Sequence, residues 1–468
     1  MEFGPILIWR GSDSDNVSLA AVVSLRSENA PLGFSVGDVP VDPKRLAEID
    51  GHVIWRFDFA LPAGQVAEYA YGDQTFPVDT RYDGDLNIGF VSCNGQENGD
   101  LERDPEERNL MWNDLAARAD ATSYHLMLHG GDQVYADEVT NAHKLTRHWP
   151  DDLSDDFTEA ELEDLFQSLR AAYLHRYGQV YSAAPFARVM ARTPSLMMWD
   201  DHDICDGWGS LKPEIVDHPI AQTLFRAARE AFLLFQHAAT DADVPQLFLD
   251  QTGRSLSWRY DLPGVSIIAP DLRSERTRDR IMGENGWAAM EKAALDVQDR
   301  VILVSSVPLL GPRLSVLEWI FNTFHIVKKY HDDLRDQWQS RAHRVEWQRM
   351  LQTVLNLEDQ GATVTAVSGE IHLATRAVMD SSKGGVQQLV ASGISHPAPP
   401  KLYALSLGTF ARLGEAPLAG HPIKIAPLPG QHHNYSAERN YLSFRRLDGL
   451  WEAQWSLEDS GNTPWLTL

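Results

Sequence analysis

Between residues 53 and 60 the chain alternates. Val53, Trp55, Phe57 and Phe59 take every second place, against Ile54, Arg56, Asp58 and Ala60. A period of two with one strongly apolar face is the pattern of a β-strand. Turn residues come next at Leu61-Pro62-Ala63-Gly64, and Tyr69, Tyr71 and Phe76 carry the pattern beyond them. The stretch 1–84 is therefore expected to be all-β, a small N-terminal β-sandwich domain that ends in the polar segment Asp79-Thr80-Arg81-Tyr82-Asp83-Gly84-Asp85. From Leu86 the pattern changes to short apolar runs separated by helical spacings. Strands are predicted over 86–92, 124–128, 196–199, 265–269, 301–305, 363–367 and 386–390. A helix is predicted to open with a capping box at Thr158 and Glu161, to carry Leu162, Leu165, Phe166, Leu169 and Tyr173 on one face, and to close at Gly178. Another carries Trp347, Met350, Leu351 and Val354. Asp448-Gly449, between 442–447 and 450–457, is a hairpin signal. Together these predict a layered α/β (α+β) domain over 85–468 with a C-terminal β-hairpin.

Composition adds bounds. The 468 residues are 43% hydrophobic, ample for a large core. A net charge of -25 excludes nucleic acid as a standing partner, because there is no cationic surplus to displace counterions. The apolar run 314–327 is too short for a membrane span and carries Glu318, Asn322 and His325, so a buried or half-exposed helix is expected and no membrane partner. The start, Met-Glu-Phe-Gly-Pro-Ile-Leu-Ile-Trp-Arg, lacks the basic and apolar order of a secretory signal. That points to the cytoplasm, or to the periplasm for a trimmed chain. Two cysteines, Cys93 and Cys205, make no disulfide framework.

Chemistry collects where predicted strands end. Ser92-Cys93-Asn94-Gly95 follows the first strand of the α/β region, and His129-Gly130-Gly131-Asp132-Gln133-Val134-Tyr135-Ala136-Asp137 follows the second. Asp200-Asp201-His202-Asp203 follows the third, and Ser368-Gly369-Glu370-Ile371-His372 closes a later one. In sheet enzymes the loops at one edge hold the site. A lone thiol is more often core, and a lone Gly-Asp pair more often a turn. Four such ends in order are poorly explained by coincidence, and carboxylates this dense predict either a surface loop or a metal site.

The runs Gly131-Asp132-Gln133-Val134-Tyr135, Trp199-Asp200-Asp201-His202-Asp203 and Ser368-Gly369-Glu370-Ile371-His372, with the Ser92-Cys93 strand end, resemble the alkaline phosphatase D (PhoD) family of calcineurin-like metallophosphoesterases. The resemblance covers roughly 86–400. It implies a four-layer αββα sandwich of two mixed sheets preceded by a small β domain. It also implies Cys93, Asp132, Tyr135, Asp201, Glu370 and His372 as metal ligands. The chain departs from the wider superfamily in having Cys93 for the first Asp, Gly95 for the first His, Asp201 for an Asn and Glu370 for a His. It has no His in Ser305-Ser306-Val307-Pro308.

Thiolate, phenolate, carboxylate and imidazole suit a transition metal, and a phenolate suits ferric iron. An oxygen set from Asp132, Asp201 and Glu370 suits calcium, magnesium or manganese. The cofactor expected is therefore a dinuclear centre of Fe(3+) and Ca(2+), with Mn, Mg or Zn as alternatives. The resemblance implies hydrolysis of a phosphate monoester, diester or both. Asp132 would bridge two metals ~3.5–4 Å apart, a metal-bridging hydroxide would attack phosphorus, and His202 would assist the leaving group. Asp200 or Asp203 is expected to orient the His202 ring. Arg273, in Asp271-Leu272-Arg273, and Asn94 are the expected substrate contacts. Arg276, Arg278 and Arg280 are expected to be solvated, Trp208 and Trp338 to be either leaving-group contacts or core, and the insert 311–340 to act as a lid.

Two other classes compete. Gly33-Phe34-Ser35-Val36-Gly37 matches a nucleophile elbow, which would make Ser35 the nucleophile of a serine hydrolase, but the elbow needs a following helix. A non-enzymatic, metal-stabilised binding protein is the other, and the thiol at Cys93 argues against calcium alone in that role.

Overall fold

The computed structural model describes residues 1–27, 29–311, 337–411 and 414–468. Two mixed sheets face one another. The first runs in the order Gly461–Asn462, Leu450–Leu457, Asn440–Leu447, Leu86–Val91, Leu126–Gly130, Ser195–Met198, Phe3–Ser12, Asn16–Leu25, His52–Pro62, Pro43–Ile49, with Leu466–Thr467 beside Leu450–Leu457. Its centre is parallel, with Leu128 paired to Phe90 and to Leu196. The second runs Trp258–Leu262, Val265–Ala269, Arg300–Val304, Thr363–Ser368, Val386–Val390, Ala374–Met379, His421–Ala426, Glu415–Leu418.

Alternation along the second sheet explains the layering. Ile267, Ile302, Val304, Val367 and Leu389 join the core shared with the first sheet. Their neighbours Ile268, Val301, Leu303, Val364 and Ala366 pack with Trp287, Met290, Trp347, Met350 and Leu351, which lie on the helices Glu284–Ala293 and Arg344–Asp359. A strand buried on both faces can therefore be apolar at every position. The helices Leu110–Ala121, Glu159–Tyr181 and Pro219–Ala231 bury apolar residues in the first sheet's core, which completes the four layers. Two indoles tie the sheets together, Trp258 Nε1 donating to the Met197 carbonyl at 2.8 Å and Trp455 Nε1 to the Val390 carbonyl at 2.8 Å.

The N-terminal 84 residues are rich in strands but do not stand apart. Ile8 pairs in parallel with Ser195, so Phe3–Ser12, Asn16–Leu25, His52–Pro62 and Pro43–Ile49 extend the main sheet without a break. The reason is visible in burial, since Ile6, Leu7, Ile8 and Trp9 are consecutive and all buried, as in a central strand. The remaining strands, Phe34–Val36, Val39–Pro40, Val66–Tyr71 and Gln74–Asp79, form a four-stranded sheet that packs on it through Phe34 stacked on Phe57 at 4.3 Å. Ser35 lies in this sheet, and a turn at Gly37 (φ 56) leads to another strand rather than a helix. The elbow geometry required of a serine nucleophile is absent there.

The capping box at Thr158 forms, with the Glu161 amide donating to Thr158 Oγ1 at 3.2 Å and the Thr158 amide to Glu161 Oε2 at 3.0 Å. The helix does not close at Gly178 but continues to Tyr181. Gly178 serves close packing, because a Cβ there would meet the Met1 Cβ at 3.0 Å. The hairpin turns on Asp448 (φ 49) and Gly449 (φ 80). The helix expected over 314–327 and most of the 311–340 insert lie outside the described residues. Among the described residues no helix is long and apolar enough to cross a membrane.

Candidate metal centre and active site

The carboxyl ends of the parallel strands from both sheets meet. The Ile394 amide donates to the Ser92 carbonyl at 3.1 Å, the His396 amide to the Cys93 carbonyl at 3.1 Å, and Ser92 Oγ to the Ala391 carbonyl at 3.0 Å. Four non-glycine residues on these loops have left-handed backbone, Cys93 (φ 54), Asp132 (φ 53), Glu370 (φ 70) and His372 (φ 52). Strain of this kind costs on the order of 1–3 kcal/mol per residue and persists where the surroundings fix a functional geometry.

The loops bring most of the expected ligands together. Cys93 Sγ lies 3.5 Å from Asp132 Oδ2, and the Tyr135 hydroxyl lies 3.4 Å from the same oxygen. The Glu370 amide donates to Cys93 Sγ at 3.3 Å, while Ser392 Oγ stands 3.2 Å from that sulfur and accepts the His372 amide at 2.8 Å. Ligating atoms of Asp132, Asp201 and His202 fall within 4.8 Å of one another, and all three residues are buried. The Glu370 carboxylate accepts from Gln337 Nε2 at 2.6 and 2.5 Å.

His202 Nδ1 stands 3.0 Å from both carboxylate oxygens of Asp137, and its ring stacks on Tyr135 at 4.3 Å. Asp137, not Asp200 or Asp203, orients the ring. Asp203 is occupied as a local brace, accepting from the amides of Asp200 at 2.9 Å and Val134 at 3.2 Å and from Gln236 Nε2 at 2.9 Å. Asp200 accepts from Arg273 Nε and, at 2.7 Å, from Ser306 Oγ.

The two expected substrate contacts are otherwise engaged. Arg273 is 0% exposed and its guanidinium pairs with Asp200 and, at 3.3 Å, with Asp201, so its fork holds carboxylates instead of facing an open site. Asn94 Oδ1 accepts from Trp112 Nε1 at 2.8 Å and Ser395 Oγ at 2.9 Å, and its Nδ2 donates to the Gln133 carbonyl at 3.4 Å, which places the amide in the core. Arg276 is buried, not solvated. Trp338 and Trp208 are core residues, the latter stacked on Phe225 at 5.3 Å. Ser305 Oγ donates to the Val307 carbonyl, so both serines of that loop are spent on structure.

Electrostatics show what the cluster lacks. Burial pushes the Asp132 carboxyl well above the usual range, with Asp200, Asp201 and Asp203 adding to it against the opposing His202. Burial and the neighbouring Asp132 likewise raise the Cys93 thiol, and burial with Cys93 and Asp132 raises the Tyr135 phenol. For His202 burial opposes the charged ring, but Asp137, Asp201 and Asp132 outweigh it and hold the imidazole well above its ordinary value. Burial also lifts Asp203 to about 7. Asp132 Oδ1 is buried and has no hydrogen-bond partner among the described residues. An orphaned carboxylate oxygen among acids, with a thiol and a phenol beside it, fits bound cations that would neutralise all of them.

One residue of the cluster lies in a strand-end run with no role readable from it, and two more escape the sequence pattern. Asp137 closes the Asp132 run, and its partner His202 is 65 positions away. His396 lies just beyond the strand Val386–Val390, and the rule that strand ends carry chemistry finds it once extended to that strand. Its ring lies face to face with His372 at 3.4 Å, and its Nε2 stands 3.3 Å from Glu97 Oε2. Glu97 lies just past the Cys93 loop and carries no local signal.

Comparison with known proteins gives the chain's family and fold. The sequence family described as PhoD related phosphatase matches residues 92–331. The uncharacterized protein YGR266W of Saccharomyces cerevisiae is 25% identical over 408 residues, 71% of this chain and 57% of that protein. The chain thus spans little more than half the length of that relative. Among solved structures, PhoD superposes with a TM-score of 0.61 at 14% identity, covering 100% of this chain and 89% of that one. The purple acid phosphatase PPD1 from yellow lupin (Lupinus luteus) seeds gives 0.55 at 10% identity, over 98% and 72%. Both likenesses show the same mixed α/β fold.

Proposed function

Because the chain belongs to the PhoD-related phosphatase family, we propose that it hydrolyses phosphate esters at a metal centre held by Cys93, Asp132, Tyr135, Asp201, Glu370 and His372, with His202 as the acid for the leaving group. The observation that carries this reading is the His202–Asp137 pair, 3.0 Å to each carboxylate oxygen, set against buried Asp132 and Asp201. When bound, the metals supply the activated water and offset the charge of the phosphate. A carboxylate only accepts, so Nδ1 carries the proton toward Asp137 and Nε2 is the nitrogen left to serve the departing alkoxide. Tyr135, stacked on the ring, fixes its plane. In this reading the buried Arg273, paired with Asp200 and Asp201, holds those carboxylates in place.

Hardness of the donors supports a choice of metals within this proposal. Cys93 and Tyr135 suit ferric iron, and the oxygen ligands of Asp201 and Glu370 suit calcium or another hard divalent ion. The substrate is a phosphate monoester or diester, and no membrane or nucleic acid is required. The test has two arms. Metal content and the visible spectrum are recorded for protein purified without chelator, since ferric phenolate absorbs visible light; a band and iron content unchanged in Tyr135→Phe remove that ligand. Hydrolysis of a monoester and a diester with one leaving group is then measured for the wild type and His202→Ala. Equal rates in the two proteins would remove His202 from the reaction.

A further inference from the structure

We propose that Gln337 is a positioning residue, one that aims the Glu370 carboxylate at a hard divalent cation through a hydrogen bond from a neutral donor, which does not cancel the carboxylate's charge. The proposal rests on the reading of Glu370 as a metal ligand and adds the group that orients it. Gln337 Nε2 stands 2.6 Å from Glu370 Oε1 and 2.5 Å from Oε2, across 33 positions of sequence. A carboxylate only accepts, so the amide NH2 group is the donor to both oxygens.

Both ends of this contact are anchored. Gln337 is buried, and the next residue, Trp338, packs with Trp347 in the outer core of the second sheet. Gln339 Nε2 donates to the carbonyls of Pro308 at 2.8 Å and Leu309 at 3.1 Å, and a Cβ on Gly311 would lie 2.6 Å from Gln339 Cδ. The Gln337 carbonyl itself accepts the Ser340 amide at 3.0 Å. The segment is thereby fastened to the loop that follows Arg300–Val304. That loop lies against the loop of Glu370, with the Ser305 amide on the Val367 carbonyl at 2.8 Å and the Gly369 amide on the Ser306 carbonyl at 3.3 Å. Glu370 in turn is held in left-handed backbone (φ 70), its amide on Cys93 Sγ.

The chemistry of the donor matters as much as its place. Asp200 and Asp201 are answered by the Arg273 guanidinium, a cation that offsets their charge. At Glu370 an amide spans both oxygens instead. An ammonium or guanidinium in that position would compete with a metal for the carboxylate, whereas an amide orients it and leaves its charge for the ion. Partners that hydrogen-bond a ligating carboxylate are typically worth about 10- to 100-fold in metal affinity.

The experiment titrates Mn(2+) into full-length protein dialysed against divalent-free buffer, with affinity read by calorimetry, the iron–phenolate band by visible absorption and folding by circular dichroism. Gln337→Met keeps the length of the side chain and removes the donor, and Gln337→Lys keeps a donor and adds a charge. Gln337→Met is also made in Glu370→Gln. We expect both single variants to bind Mn(2+) about 10- to 100-fold more weakly than wild type, with the visible band unchanged. In the Glu370→Gln background Gln337→Met is expected to weaken binding no further, because Gln337 acts through that carboxylate. Wild-type affinity in Gln337→Met, or a loss that adds in full to that of Glu370→Gln, would overturn the proposal and leave Gln337 a structural contact. If Gln337→Met unfolds, Gln337→Lys decides, and wild-type affinity there overturns the proposal. A wild type that binds neither iron nor Mn(2+) refutes the metal centre itself, whereas Mn(2+) bound equally by wild type and Gln337→Met refutes the positioning role alone.

Discussion

Replacing Asp137 by Asn separates an oriented acid from an incidental histidine. The Asp137 carboxylate makes two contacts of 3.0 Å to His202 Nδ1 and accepts the Asp206 amide at 2.7 Å. Asn keeps the size but offers one acceptor oxygen and an NH2 group, so either the imidazole or the Asp206 amide loses its partner. A hydrogen bond to a charged group contributes about 1.5–3 kcal/mol. At 1.36 kcal/mol per decade, losing it lowers kcat by about 10- to 150-fold where protonation of the leaving group limits the rate. The assay is kcat against a series of aryl and alkyl phosphates whose leaving groups differ in basicity. Alkyl esters need the proton most and are expected to fall by the full factor, whereas a nitrophenyl ester falls little. Asp203→Asn serves as the comparison. Its carboxylate braces the amides of Asp200 and Val134 and does not touch the His202 ring, so it is expected to lower every substrate equally. A uniform loss across the series in Asp137→Asn, or a leaving-group dependence in Asp203→Asn, would refute this division of tasks.

Buried contacts elsewhere lead to three more expected outcomes. Asp100 is 0% exposed and meets Arg103 at 3.2 Å, Arg108 at 2.9 Å and Arg176 at 3.2 Å, so Asp100→Asn leaves buried cations short of a partner and is expected to cost about 3–5 kcal/mol, read as a lower denaturant midpoint. A Cβ on Gly369 would stand 2.5 Å from the Ser92 Cβ and closer still to its Oγ, so Gly369→Ala is expected to cost about 1–3 kcal/mol and to weaken metal retention at the adjoining Cys93, with Ser92→Gly restoring both. Glu358 is buried, its Oε2 has no hydrogen-bond partner among the described residues, and burial raises its carboxyl pKa above the ordinary value. An acid whose pKa is raised by folding is no penalty while protonated in both states. The penalty grows as pH rises through the unfolded value of about 4.3 and is complete above the folded one. Glu358→Gln is therefore expected to stabilise the protein by about 1 kcal/mol at pH 8 and not at all at pH 3.5, and equal effects at both would refute it.

What the sequence shows and what it hides divide along a physical line. The strands Val265–Ala269 and Val386–Val390 match their expected bounds residue for residue, because their apolar residues are buried and preceded by turn glycines, even though Ser266, Gln387 and Gln388 interrupt the runs. The loops after such runs are equally legible, which is why Cys93, Asp132, Tyr135, Asp201, Glu370 and His372 stand out. Partnership is another matter. The pairing of Ile8 with Ser195 crosses 187 positions, and periodicity reports which face is buried, never which edge a strand joins. The same holds within the site. Glu97 meets His396 across 299 positions, and Arg273 meets Asp200 across 73. A residue type at a strand end states what a side chain can do, so Arg273 reads as a phosphate fork and Asn94 as a substrate contact. Which of its possible partners it takes depends on the charges that the fold brings beside it. Where acids crowd, the buried arginine goes to the acids. Among the described residues the cluster then retains an orphaned oxygen at Asp132, and that deficit of positive charge, invisible in any single motif, is what bound metals would fill.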